Sequence, residues 1–73
     1  MPDETKKELL PHQQRVIDEK IELDNKRIKL ESFIKERGVV FYSLPEDERN
    51  RLVRQYSCMS EYSEILAERI EAF

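Results

Sequence analysis

The sequence predicts an all-α protein, a short N-terminal helix followed by a long antiparallel helical hairpin, assembling as an oligomer. Three observations predict it. Charged residues make up 40% of the chain and hydrophobic residues 38%, with one glycine and three prolines; this composition suits helices that each carry one apolar face and a solvated remainder. The apolar residues recur at helical spacing over two long stretches, as amphipathic helices require. With 73 residues in a single domain, 1–73, folding buries only ~60% of the surface that the unfolded chain would expose, so a lone hairpin has a thin core.

The first element is a short helix over residues 3–9, capped by Asp3, with Glu4 favourable beside the positive end of the helix dipole. Pro11 interrupts it, placing Leu10 at a bend and opening the first hairpin helix, residues 11–37. Gly38 is expected to stop that helix in the left-handed conformation, with Lys35 and Arg37 suiting the negative helix end. Residues 38–43 are read as a connector whose apolar run, Val39-Val40-Phe41-Tyr42, tucks over the hairpin end. Ser43-Leu44-Pro45-Glu46 matches a capping box and opens the second hairpin helix, residues 44–72.

The two hairpin helices differ in pattern. In the second, Leu52, Tyr56, Met59, Leu66, Ile70 and Phe73 recur at steps of four, three, seven, four and three, which makes one seam. Tyr62 and Ile65 widen it, and Val53 begins a partial second row. The first carries two apolar rows on a wheel of ~100° per residue, Val16-Leu23-Leu30-Ile34 and Ile17-Ile21-Ile28. Gln13, Lys20, Asp24, Arg27 and Glu31 lie between them. Two rows divided by charge suit contact with the sister helix on one side and another chain on the other; a solvated strip is the alternative. Lys20 with Asp24, and Arg27 with Glu31, are spaced to pair with each other.

Several function classes are disfavoured. His12 and Cys58 are the only residues of their kinds, so no internal disulfide and no standard zinc set can form. Self-association is then the remaining way to stabilise so small a scaffold. The N-terminal residues lack the apolar stretch of a secretory signal, and no run approaches the ~18 apolar residues of a membrane span. A cytoplasmic protein is therefore expected. The net charge of −3 argues against duplex DNA or RNA as a partner. Glycine-rich phosphate loops, nucleophile elbows and Cys-x-x-Cys pairs are missing from the sequence, and its acids are spread along helical faces, so no catalytic residues and no cofactor are assigned and no enzyme is expected.

Binding candidates remain. His12 sits in the first turn of its helix, where free backbone N–H groups favour an anion. Arg15, Lys26 and Lys29 form a basic edge diluted by Glu19 and Glu22, which in an oligomer could converge with its copies to clamp phosphates. Arg69 neighbours the Tyr62–Ile65 flank, with a salt bridge to Glu64 or Glu68 as its plainer role.

The run Pro11-His12-Gln13-Gln14-Arg15-Val16-Ile17-Asp18-Glu19-Lys20, then Leu23-Asp24-Asn25-Lys26 and Lys29-Leu30-Glu31-Ser32-Phe33-Ile34, resembles the first arm of a helical-hairpin family. Leu52, Gln55, Met59, Tyr62, Leu66, Arg69-Ile70 and Phe73 match its second arm. The family is the hairpin domain shared by the anti-CBASS cyclic-oligonucleotide sponges and the Thoeris anti-defence sponges of bacteriophages. The resemblance implies a homohexamer that binds cyclic di- or trinucleotides, such as 3′,3′-cGAMP or cyclic triadenylate, at interchain pockets. Such a protein sequesters the messenger without cleaving it, in the cytoplasm of an infected bacterial host, and blocks immune signalling. By this resemblance His12, Arg15, Lys26 and Arg69 are the ligand-binding candidates, and Tyr42 and Phe41 are possible stacking partners. A helical protein-interaction adaptor and a small structural phage protein are the competing readings.

Overall fold

The computed structural model describes residues 8–36 and 38–73. They form three helices in chain order, α1 (Pro11–Glu36), α2 (Gly38–Ser43) and α3 (Glu46–Glu71). There is no strand among the described residues. The long helices α1 and α3, each of 26 residues, pack against each other as a hairpin, and α2 bridges their closed end. The short helix expected over residues 3–9 lies outside the described residues, except that Glu8 and Leu9 are not helical; Arg37, the expected last residue of α1, is also outside them.

The start of α1 obeys local chemistry. Pro11 takes the first helical position, where its missing N–H costs nothing. The Gln13 side chain reaches back to accept a 2.9 Å bond from the Leu10 backbone N–H, while the Gln14 N–H donates to the Leu10 carbonyl at 3.0 Å. Half a capping box therefore forms here, with Gln13 reaching back to the backbone N–H three residues before it.

The box expected at Ser43 does not form. Residues 38–43, read as a connector, continue as helix α2, and the Ser43 hydroxyl is taken up by donating to the Val40 carbonyl at 2.6 Å. Helix α3 then starts at Glu46 and not at residue 44, with Pro45 at the cap position and no side-chain cap bond. Glu46, Asp47 and Glu48 fill its first turn, where acidic side chains face the positive helix end.

Gly38 also departs from expectation. No glycine takes a positive φ, so Gly38 is an ordinary helical residue of α2 and not a left-handed stop. A methyl group built on it would meet nothing within 4 Å. Gly38→Ala should therefore raise stability by about 0.5–1 kcal/mol, chiefly by restricting the unfolded chain, measured as a shift in the urea midpoint at constant slope.

The tucked apolar run is only partly realised. Phe41 is buried and packs edge-on against Phe33, with ring centroids 6.1 Å apart, which plugs the closed end of the hairpin. Val39 and Tyr42, at 89% and 70% exposure, point outward. A six-residue helix exposes part of its circumference, so only one side of the run can face the core.

The core is as thin as the chain length implies: among the described residues only Val16, Phe41 and Leu66 are buried apolar side chains, and Leu66 alone is fully enclosed. Every residue of the expected α3 seam is at least half-buried, as are Leu23, Leu30 and Ile34 of the first α1 row. Ile21 and Ile28 of the second row are each 54% exposed. One hairpin thus covers the first row of α1, half-buries Ile17 and leaves Ile21 and Ile28 of the second row exposed.

Candidate functional site

The strip of charge between the two α1 rows is built into the hairpin contact. Lys20 donates to Asp24 at 2.6 Å, and Arg27 reaches the other Asp24 oxygen at 3.3 Å. From α3 the Ser63 hydroxyl donates to that same oxygen at 2.6 Å. Glu31, expected to pair with Arg27, instead accepts from Lys35 at 2.8 Å. The charges are therefore half-buried and internally matched, not a solvated strip. Ser63 was missed by sequence reading, although a signal exists: it stands four residues after Met59 and three before Leu66, filling the seven-residue step in the seam.

The network holds Asp24 strongly ionised. The Lys20 hydrogen bond, followed by that of Ser63, lowers its carboxyl pKa to about 2, against the opposing effect of burial. Because the folded pKa lies below the unfolded one, the unfolded chain binds more protons between them, and stability rises with pH across that window. The contribution of Asp24 should be complete above about pH 4 and drain away as pH falls toward about 2. Asp24→Asn should flatten this part of the stability profile, which urea titrations across the range would read.

The same contact fixes where the candidate ligand residues lie. Asp24 opposite Ser63 sets the antiparallel register, so the start of α1 meets the end of α3. His12, Arg15 and Arg69, all exposed, therefore come to the open end of the hairpin. Lys26 is exposed too, but it stands eleven residues beyond Arg15, roughly 16 Å at 1.5 Å per residue. Three of the four candidates share one end, and the fourth stands near mid-hairpin, across from Tyr62.

Rotation about the helices places all four on one side. In an antiparallel pair, flanks that turn the same way from the contact line, each viewed along its own chain direction, lie on the same face. On a wheel of ~100° per residue, His12, Arg15 and Lys26 turn one way from the α1 contact row, and Arg69, Tyr62 and Ile65 turn the same way from the α3 seam. Ile17, Ile21 and Ile28 turn the other way, together with Val53 and Ala67 of α3. One face of the hairpin carries His12, Arg15, Lys26 and Arg69 together with the acids Glu19 and Glu22, flanked by Tyr62 and Ile65, and the isoleucines lie opposite.

The hairpin tip contributes less to such a site. Phe41, considered for stacking, is enclosed in the core. Tyr42 is exposed, but Phe41 meets it edge-on at 5.2 Å and the Arg49 guanidinium stands 5.4 Å from its ring centre. A shallow concavity of about 370 Å³ opens on the back of α1, lined by Ile28, Lys29, Ser32 and Phe33. Among the described residues no three His, Cys, Asp or Glu side chains are grouped to hold a metal ion, and no helix is long and apolar enough to cross a membrane.

The chain matches its half-buried charges internally, Asp24 to Lys20, Arg27 and Ser63, and Glu31 to Lys35. No curated protein and no solved structure matches it. The profile of the family described as Sequestin matches residues 10–72, which covers both long helices and the turn between them, and its name fits the nucleotide-sequestering sponges that the sequence resembles. The chain belongs to the Sequestin family.

Proposed function

We propose that this protein is a non-enzymatic sponge for cyclic di- or trinucleotides, made by a phage and acting in the cytoplasm of the infected cell to keep the messenger from immune effectors of the CBASS type. The observation that carries the reading is the gathering of His12, Arg15 and Arg69 at one end of a single face, with Lys26 further along it beyond Glu19 and Glu22. Cyclic nucleotides present phosphates to cations and bases to apolar or aromatic flanks such as Tyr62 and Ile65. Membership of the Sequestin family supports sequestration as the mode of action.

The face is open on one hairpin, and a sponge needs walls. Assembly of copies, as a homohexamer in this reading, closes interchain pockets and brings cations from several chains around one ligand. Sequestration asks for affinity and not for complementarity to a transition state, so a set of positioned cations suffices without an acid–base pair.

Calorimetric titration with 3′,3′-cGAMP and with cyclic triadenylate, followed by heat denaturation and recovery of the ligand, tests both halves of the proposal. Heat of binding with intact nucleotide recovered is the expected result. No heat with any cyclic nucleotide would defeat the sponge, and a degraded ligand would make the protein an enzyme.

A further inference from the structure

We infer that the bond from Ser63 to Asp24 selects one register of the hairpin from those that the apolar contact allows, which makes the two side chains positioning residues: they set Tyr62 and Arg69 of α3 against Lys26 and Arg15 of α1. This selection is independent of any ligand, whereas its consequence for affinity rests on the sponge proposed above.

The apolar contact alone does not choose a register. Val16, Leu23 and Leu30 of α1 stand seven residues apart. So do Leu52, Met59 and Leu66 of α3, with Phe73 beyond its end. Sliding one helix along the other by seven residues, ~10 Å at 1.5 Å per residue, again sets apolar side chains on apolar side chains. The slide that draws the start of α3 back toward the end of α1 asks the turn for no extra reach. It must release Phe41, the buried side chain of α2, from Phe33.

Asp24 and Ser63 break the degeneracy. Each occupies a seven-residue row beside the apolar ones, Ile17-Asp24-Glu31 and Tyr56-Ser63-Ile70. In the observed register the buried Ser63 hydroxyl donates to Asp24 at 2.6 Å. Lys20 and Arg27 also hold Asp24, but they belong to α1 and travel with it. A slide in one direction sets Asp24 against Ile70, and in the other it sets Ser63 against Ile17. Either way a polar group loses its bond against a hydrocarbon surface, with no water to replace it. A lone polar layer in an apolar seam fixes register by this penalty. Tyr56 does not supply the same discrimination. Glu31 is held below the usual carboxylate range by Lys35 first and by the Tyr56 hydroxyl last, and in the slide that strands Ser63 this hydroxyl exchanges Glu31 for Asp24. Such a slide carries Tyr62 ~10 Å away from Lys26 and moves Arg69 past Arg15 by the same length.

Spin-label distances in ligand-free Ser63→Ala test the selection. In a Cys58→Ser background, Asp18→Cys and Ser57→Cys, both exposed positions, carry the labels. Labelled chain is refolded with excess unlabelled chain, so that each distance arises within one hairpin. The native chain and Ser63→Thr, which keeps the hydroxyl, should each give one separation. Ser63→Ala should add a second, shorter by up to ~10 Å. Its urea midpoint should stay at or near the native one, because Asp24 keeps Lys20 and Arg27 and alanine is the better helix former. Its affinity for 3′,3′-cGAMP or cyclic triadenylate should fall in proportion to the fraction left in the native register, about threefold where a third remains. A single native separation in Ser63→Ala, two separations in the native chain, or undiminished affinity beside a shifted population would each overturn the inference. A sharp fall in the midpoint of Ser63→Ala would overturn it too, since the bond would then supply stability and not choice. A shifted population in Ser63→Ala, with no heat from any cyclic nucleotide on the native chain, would leave the register selection standing and defeat the sponge alone.

Discussion

Replacing Leu66 by alanine is expected to leave the chain largely unfolded at room temperature. Leu66 is the one side chain that is fully enclosed, and only Val16 and Phe41 join it as buried apolar residues among those described. Truncating a buried leucine costs about 2–5 kcal/mol, through lost burial and the cavity left behind. A scaffold of this size rarely has more than ~3–5 kcal/mol in total, so the loss is comparable to the whole stability. Far-UV circular dichroism with urea titration reads it: the helical signal should collapse or its midpoint fall sharply. Val39→Ala, at a position 89% exposed, should stay within about 0.5 kcal/mol of the native chain. Equal effects of the two substitutions would mean that stability does not reside in the α1–α3 seam.

Charge reversal on the face of Arg15 and Arg69 is the second large effect. Arg15→Glu and Arg69→Glu should each weaken binding of a cyclic nucleotide by about 10–100-fold, because each removes a charge-assisted contact of ~1.5–3 kcal/mol and replaces it with repulsion. The double variant should show no measurable heat. Arg51→Glu makes the same change of charge at the other end of the hairpin, where Arg51 pairs with Glu48 at 2.8 Å and with Asp47. It should leave affinity nearly unchanged, since exposed charges separated by more than the ~8–10 Å screening length scarcely interact. Retention of full affinity by the double variant would remove that face from the site. Equal losses at all three arginines would reduce its role to net charge.

The fold was largely legible, and the errors cluster in one place. The α3 seam and the two rows of α1 were readable because helical periodicity repeats over many turns, so that single exceptions do not erase it. The connector was misread because residues 38–43 are too few to show a period, and because Ser43-Leu44-Pro45-Glu46 satisfies the capping pattern in letters alone. With α2 running to Ser43, that hydroxyl donates to the Val40 carbonyl, and α3 begins only at Glu46, so Pro45 and not Ser43 stands at its cap position. Gly38 was expected to stop a helix in the left-handed conformation, yet it is itself helical. Local signals in a turn compete for the same few atoms, and the packing of Phe41 against Phe33 at the closed end accompanies the helical outcome.

The candidate site divides along the same line. Residue types and spacing offered His12, a basic edge of Arg15, Lys26 and Lys29, and Arg69 on a flank, and the family resemblance narrowed these to His12, Arg15, Lys26 and Arg69. They could not say that these residues share a face, because that depends on which row of α1 meets which row of α3. The Lys20–Asp24 pair was readable as an i,i+4 spacing, but the Ser63 hydroxyl on Asp24 joins residues 39 positions apart. By itself, then, the sequence determined two amphipathic helices, a surplus of apolar residues and a set of basic candidates. The tertiary structure decided the register of the hairpin, the half-burial of a matched charge network along it and the separation of the face of His12, Arg15, Lys26 and Arg69 from the isoleucine face. The physical reason is that periodicity is a property of each helix alone, whereas a face of the molecule is defined only after two helices have chosen the line along which they touch.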